Sequence, residues 1–267
     1  MNSTIVRKSW TAALLLLLAI PSFSKLSAQE RRTHEVGIIA HRGYWRTAGS
    51  SQNSRVSLQK AQDLDLFGSE IDVWLTTDGV VMVNHDNKYD GVVLEKSTSD
   101  VCRQLVLSNG EFMPMLPELL ELIATRPSGT KLIIEVKPHS TPERDRAAAD
   151  SAMALVRRYG LEREVEYISF SLHACNRLVQ NDAKAKVAYL NGDKAPAELH
   201  ALGHAGIDYH VNAFRKHPEW VAEAHALGMY VNVWTVDDEA SIQEMIRLGV
   251  DYITTNEPVR TRRLIAR

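Results

Sequence analysis

The chain has 267 residues, longer than the commonest domain size but within the usual length of an α/β barrel that folds as one domain. Its 31 Lys and Arg stand against 33 Asp and Glu, a formal net charge of −2, which argues against general DNA or RNA binding because that needs basic patches. Two cysteines, Cys102 and Cys175, exclude a disulfide-dense scaffold and are read as free thiols because they lie far apart in different predicted elements.

Residues 1–28 read as a secretory signal peptide. Arg7 and Lys8 form a positive region, Trp10 to Ile20 is an apolar run too short to span a bilayer comfortably, and Leu26-Ser27-Ala28 offers a small-residue cleavage site. No cysteine lies near that site to take a lipid. Cleavage removes Arg7, Lys8 and Lys25 and no acid, so 28 basic residues face 33 acidic ones, net −5, with no polybasic cue for anionic membranes. The expectation is an exported protein, periplasmic or secreted, without stable membrane insertion. Residues 29–267 carry no Pro-, Ser- or Gly-rich linker and no low-complexity tract, and so form one domain.

Val36 to Ala40 is a short apolar run fit for a buried strand, and it ends abruptly in His41-Arg42-Gly43. A polar loop, Tyr44 to Gln52, precedes a helix from about Asn53 to Phe67, with Val56, Leu58, Ala61, Leu64 and Phe67 on its apolar face. The next strand begins at Gly68. Because successive side chains of a strand point to opposite faces, Glu70 and Asp72 share one face and Ile71 and Val73 the other. Thr77-Asp78-Gly79 marks a turn, and the returning run Val80 to Val83 ends in Asn84-His85-Asp86, so a hairpin brings a histidine back towards the two acids. Taken alone, acids beside a Thr-Asp-Gly turn are as often merely solvated. In extended chain Asp86 points away from His85 and reads as a turn residue.

Residues 87–115 show no clear period and form a lid candidate by loop logic, in which Tyr89 and Phe112 are expected to pack within the segment. A helix over Pro117 to Ala124 follows, then strand Lys131–Val136 with Glu135 and Lys137 on one face near its end. Beyond it helices and strands alternate: helix 143–159, strand 165–170, helix 172–181, strand 186–190, helix 196–202, strand 207–211, helix 218–227, strand 230–234, helix 239–248, strand 250–254 and a terminal helix. About eight strand–helix pairs with continuous apolar strands predict an α/β fold, a closed (β/α)8 TIM barrel, with a small insertion after the second strand. No Gly-x-Gly-x-x-Gly follows the first strand, so a dinucleotide-binding sheet is unsupported. In such barrels the active site lies at the C-terminal strand ends, where His41, Glu70, Asp72, Glu135, Lys137 and Trp234 all fall.

These motifs together resemble the glycerophosphodiester phosphodiesterase family: His41-Arg42-Gly43, Glu70-Ile71-Asp72, His85-Asp86 and Glu135-Val136-Lys137, then Trp234-Thr235 and the ending Gly249 to Asn256. The order and spacings suit, and the resemblance covers essentially the whole mature chain. One departure stands out: Ser51-Gln52-Asn53-Ser54 occupies the place of the family's Pro-Glu-Asn-Thr, so a neutral Gln52 replaces the usual glutamate. The resemblance implies hydrolysis of small glycerophosphodiesters to sn-glycerol 3-phosphate and an alcohol, and an insertion that shapes the pocket for that alcohol.

Chemistry and resemblance agree on roles. Glu70, Asp72 and Glu135 are three oxygen ligands for one divalent cation, Mg²⁺ or Ca²⁺. Arg42 and Lys137 would neutralise the phosphate, Arg by a planar fork and Lys as a point charge. His41 and His85 form the acid–base pair, and Trp234 an apolar wall for the glycerol. Of the other histidines, His139 could sit near the mouth, His210 beside Asn212 is the best outsider for a substrate contact, and His34, His173, His200, His204, His217 and His225 are expected to be solvated or surface-packed. Two alternatives stand: a lysophospholipase D-like lipid phosphodiesterase, which would need a long apolar groove beside the mouth, and a non-catalytic phosphodiester-binding barrel.

Overall fold

The structure, a computed structural model, describes Met1, residues 36–126 and residues 128–266. The expected signal peptide and its cleavage site lie outside the described residues. Strand β1 (Gly37–Ala40) is followed by helix α1 (Arg55–Asp63) and strand β2 (Gly68–Leu75). Helix α1 stops four residues short of Phe67. Its start is set by Ser54, whose hydroxyl caps the backbone N–H of Ser57. After it the chain passes through Asp65 at φ +48°, which no α-helix accommodates, and turns Phe67 onto Tyr252, ring centroids 4.0 Å apart.

Strand β2 runs antiparallel to β3 (Val81–Val83), pairing Val73 with Val83, so the hairpin forms as the turn signal implied. The insertion then holds a two-stranded ribbon, β4 (Lys88–Tyr89) and β5 (Val92–Val93), and a short helix, α2 (Ser99–Cys102). It has an apolar centre of its own, built from Trp74, Met82, Leu94, Cys102, Leu105, Leu107 and Met113. Phe112 does not pack there: it is 63% exposed, bridged to Val106.

Helix α3 (Leu116–Thr125) leads to β6 (Lys131–Val136), and the alternation continues as α4 (Pro142–Tyr159), β7 (Val165–Ser169), α5 (Leu172–Asn181), β8 (Val187–Tyr189), α6 (Pro196–Ala201) and β9 (Gly206–His210). Two helices follow where one was expected, α7 (Val211–Lys216) and α8 (Glu219–Ala226), because Pro218 cannot continue the first. Then come β10 (Tyr230–Trp234), α9 (Glu239–Leu248), β11 (Tyr252–Thr255) and α10 (Pro258–Ile265). Strands β1, β2 and β6 to β11 are parallel, in the order β1-β11-β10-β9-β8-β7-β6-β2, and β1 also pairs with β2, which closes the sheet on itself. The expected (β/α)8 barrel is borne out.

Strand alternation decides what the barrel contains. On β6, Leu132, Ile134 and Val136 join the large core under the helices, while Ile133 packs inside the barrel with Ile39, Ile168, Ala188 and Leu190. Glu135, two residues beyond Ile133, therefore faces inward at the C-terminal end. On β2, Ile71, Val73 and Leu75 take the helix side, which turns Glu70 and Asp72 the other way. The opposite end of the barrel is filled by rings, and Gly206 is needed there because a Cβ would lie 2.6 Å from the Tyr230 ring. No described helix is long and apolar enough to cross a membrane. Cys102 and Cys175 are buried and unpaired.

Candidate active site

Three carboxylates meet at the C-terminal mouth of the barrel. Oxygens of Glu70, Asp72 and Glu135 all lie within 4.8 Å of one another, and each residue is buried. They come from adjacent strands, with Asp72 and Glu135 direct partners in the β2–β6 register.

Two backbone turns in the left-handed region aim polar groups at this cluster. Arg42, at φ +58°, directs its own backbone N–H onto Glu70 Oε2 at 2.7 Å. The turn requires Gly43 next to it, at φ +77°, where a Cβ would run into both the side chain and the backbone of Ser57. Asn53, at φ +57°, clamps Asp72 twice, since its Nδ2 donates to Asp72 Oδ2 at 2.8 Å and its Oδ1 accepts the Asp72 backbone N–H at 3.0 Å.

Cations complete the arrangement. Lys137 Nζ donates to Asp72 Oδ1 at 3.2 Å and lies 2.7 Å from Glu135 Oε1, an ion pair angled off hydrogen-bonding geometry. Arg42 Nε stands 3.8 Å from Asp72 Oδ2, and its Nη1 donates to Gln52 Oε1 at 2.7 Å. Gln52, the departure from the family pattern, thus holds the guanidinium as a neutral acceptor.

The electrostatics follow from this crowding. Burial pushes the Glu70 carboxyl well above its usual range, and Asp72 and Glu135 add to the push. Burial and Asp72 likewise raise Glu135, to about 8. Asp72 goes the other way: burial alone would raise it, but Lys137, His85, the Asn53 amide and Arg42 together bring it below its usual value. Burial opposes the charge of Lys137, yet Asp72 and Glu135 raise its pKa on balance. Lys137 and Arg42 leave one of the three carboxylates uncompensated, and Glu70 Oε1 is buried with no hydrogen-bond partner. An all-oxygen set with one acceptor still bare fits a hard divalent cation.

The two histidines are held differently. His41 Nδ1 is 2.9 Å from Asn256 Oδ1, and burial, with Arg42 beside it, brings its pKa down to about 4. Asn256 is itself fixed by Asp237, which accepts from both its backbone N–H and its Nδ2 at 2.8 Å. His85 Nδ1 pairs with Asp86 Oδ1 at 2.8 Å. This corrects the expectation that Asp86 turns away: Asn84 Nδ2 donates to the Asp86 carbonyl, so the chain there is bent and not extended. Burial lowers His85 as well, while Asp72 and Asp86 pull in the opposite direction.

One cavity of about 150 Å³ joins His41, Arg42, Glu70, His85, Glu135 and Lys137 to Trp234. Its other walls include Ile168, Phe170, Leu190, Asp208 and Thr254. The Trp234 ring is fixed by Nε1 donating to the Asp208 carbonyl at 3.1 Å and by an edge-on contact with Phe170, centroids 5.4 Å apart. None of the lining residues comes from 87–115, so the insertion does not reach this cavity. A larger cavity, about 410 Å³, opens at the other end of the barrel among Arg157, Glu166 and Lys186, away from the acidic cluster and the histidine pair.

His34 lies outside the described residues, and three of the other histidines resolve plainly. His139 uses both ring nitrogens on backbone, accepting from the Leu75 N–H and pairing with the Lys137 carbonyl, and is structural. His210 caps α7 through its Nδ1 and packs edge-on against Trp234. His204, expected near the surface, is 2% exposed and pairs with Asn176. Sequence reasoning assigned no role to Asn53, Asn256 or Asp237. Asn53 and Asn256 stand inside quoted motifs, which was the only signal, and Asp237 carried none.

The fold and this constellation define a phosphoric diester hydrolase of the TIM-barrel type. The family model for the glycerophosphoryl diester phosphodiesterase family matches residues 41–260, and the chain belongs to that family. A crystal structure of a glycerophosphodiester phosphodiesterase from Parabacteroides distasonis is 44% identical, covers 87% of this chain and 97% of its own, and superposes with a TM-score of 0.86. A glycerophosphodiester phosphodiesterase of Caldanaerobacter subterraneus is 26% identical over 83% of this chain and 94% of its own. An Oleispira antarctica phosphodiesterase solved with the product sn-glycerol-3-phosphate shares the fold at 23% identity and a TM-score of 0.75, covering 86% of this chain and 97% of its own.

Proposed function

We propose that the protein hydrolyses glycerophosphodiesters to sn-glycerol 3-phosphate and an alcohol, with one divalent cation, Mg²⁺ or Ca²⁺, held by Glu70, Asp72 and Glu135. The observation that carries this reading is the meeting of three buried carboxylates with two histidines and two cationic side chains, all of them but Asp72 lining one cavity. The product bound in the Oleispira antarctica enzyme supports the same substrate class. Bound among the three carboxylates, the cation would polarise a phosphoryl oxygen and offset the charge that grows on it.

The chain's own groups supply the rest. Arg42 and Lys137 hold the non-bridging phosphate oxygens, and Gln52 keeps the Arg42 guanidinium in place without cancelling its charge. His41, with Nδ1–H directed at Asn256, presents Nε2 to the site, and His85, backed by Asp86, presents its own. One takes the proton of the attacking oxygen and the other gives one to the departing alkoxide. Water or the hydroxyl beside the ester carbon can serve as nucleophile, the latter by proximity through a cyclic phosphate. Trp234 gives the glycerol carbons an apolar face. Export belongs to the same reading, on the strength of Arg7, Lys8 and the apolar run to Ile20.

The test is release of sn-glycerol 3-phosphate from glycerophosphocholine and glycerophosphoethanolamine by residues 29–267, after chelation and again with Mg²⁺ or Ca²⁺ restored. Cation-restored release that vanishes in Glu70→Ala is the expected result. A folded protein silent with both ions would leave a binding barrel or a lipid substrate instead.

A further inference from the structure

We propose that Asp208 is a specificity-determining residue, reading the terminal hydroxyl of the substrate's glycerol arm from the β9 wall of the catalytic cavity. The inference rests on the glycerophosphodiester reading above and adds a contact that acid–base and phosphate chemistry do not use. Asp208 is the inward residue at the middle of β9, flanked by Ile207 and Tyr209, which face the helices. It is 1% exposed, and it lines the cavity that holds His41 and the acidic cluster.

Its Oδ1 has no hydrogen-bond partner. A buried carboxyl oxygen without a donor costs about 1–3 kcal/mol or more, so such a group calls for a ligand or another explanation. The surroundings do not supply the missing donor. Ile168, Phe170 and Leu190 are apolar, and the Trp234 indole N–H is spent on the Asp208 backbone carbonyl, not on its carboxyl. Asn232, its partner in the β9–β10 register, lies beside it and favours its charged form, but Asn232 Nδ2 is committed to Thr254 Oγ1 at 2.8 Å and Asn232 Oδ1 is itself bare, so Asp208 Oδ1 receives no N–H from it. What is absent is a donor arriving from the cavity.

A hydroxyl fits better than an ammonium. Burial raises the Asp208 carboxyl to about 7, with Asn232 opposing the rise and Glu166 adding to it, so both of its protonation forms are accessible near neutral pH. A hydroxyl donates to the anionic form and accepts from the neutral one, whereas an ammonium pairs well with the anion alone. The cavity, about 150 Å³, has room for a three-carbon polyol whose C–H faces lie on Trp234 and Phe170.

The experiment compares kcat/KM for glycerophosphoethanolamine with that for the matched diester of propane-1,2-diol, which keeps the hydroxyl beside the ester carbon and lacks only the terminal one, in the wild type, Asp208→Ala and Asp208→Asn, with thermal melting as the folding check. The wild type is expected to favour the glycerol ester by about 100-fold or more, because a site built to bond a hydroxyl rejects the analogue that lacks it. Asp208→Ala should shrink that ratio at least about tenfold, and Asp208→Asn, which keeps one acceptor, by less. Turnover of the glycerol ester with the ratio unchanged in a folded Asp208→Ala overturns the subsite and leaves the proposed activity standing. A wild type that hydrolyses the propanediol ester equally well does the same. A wild type inert on both overturns the activity itself, and the subsite with it. Should neither variant fold, competition by sn-glycerol 3-phosphate against the matched propane-1,2-diol phosphate in the wild type decides, with less than about a threefold advantage counting against the subsite.

Discussion

The two sides of the mouth solve the same problem with opposite means. On the barrel side, Glu70, Asp72, Glu135 and His41 sit among strand ends, and each is tied by groups that the fold fixes: the Arg42 backbone N–H, the Asn53 amide, Lys137 and the Asn256–Asp237 pair. On the hairpin side, His85 follows β3 on a loop, and its one carboxylate partner, Asp86, is 74% exposed. Buried charge is expensive and so must be over-determined, whereas an exposed pair is screened and can be changed cheaply. The barrel side should therefore be rigid and intolerant, and the hairpin side adjustable.

The acidic cluster gives that contrast its strongest test. On the proposed function, Glu70→Ala removes a ligand to the cation that would neutralise phosphate charge, and it is expected to lower kcat/KM at least about 10³-fold. It should also change stability in a diagnostic way. A divalent ion at 100 times its Kd stabilises the native state by about 2.7 kcal/mol, which in a domain of this size raises Tm by roughly 5–10 °C. The wild type should show that rise and Glu70→Ala should not. Differential scanning calorimetry with and without chelator measures both, and an equal rise in the variant would show that the ion binds elsewhere.

Next in size come His41 and its support. His41→Ala is expected to cost about 10²–10⁴-fold in kcat, the usual range for a group that moves a proton in the transition state. Asn256→Leu leaves the imidazole in place but removes the acceptor that holds its Nδ1–H, so a loss of about 10- to 100-fold in kcat with KM little changed is expected. If His41 needed no orientation, the Asn256 variant would turn over at the wild-type rate, and the over-determination seen on the barrel side would be structural only.

This division also explains what could be read from sequence. Glu70 with Asp72, Glu135 with Lys137 and the His41-Arg42-Gly43 turn are local patterns, two or three residues long at the ends of apolar runs, where strand alternation alone fixes the shared face. The barrel was legible for the same reason, because each strand–helix pair repeats the signal. Asn53 and Asn256 were quoted within motifs but given no work, since their partners lie 19 and 215 positions away: the first contact needs β1, α1 and β2 to assemble, and the second needs β11 to pair with β1. Asp237 reaches the site through Asn256 alone. Asp86 was misread because a period-two rule was carried past the end of β3, into a bend that the Asn84 side chain creates. The insertion offered no period, and its stability comes from a small cluster around Trp74 and Met82 that gathers residues from well-separated positions.

The smallest effect should fall on the hairpin side. Asp86 raises the pKa of His85, against the lowering by burial, so Asp86→Asn must move the His85 titration to lower pH. Because the pair is exposed, the rate at the optimum should fall only about two- to fivefold. The pH profile carries more information than the rate. If His85 acts as the base, the acidic limb of kcat/KM moves down and the active range widens; if it acts as the acid, the basic limb moves down and the range narrows. Either shift assigns the histidine's role, and by elimination that of His41. A profile displaced upward, or a loss as large as that in Asn256→Leu, would mean that Asp86 holds His85 as firmly as the barrel holds His41, and the contrast between the two sides would fail.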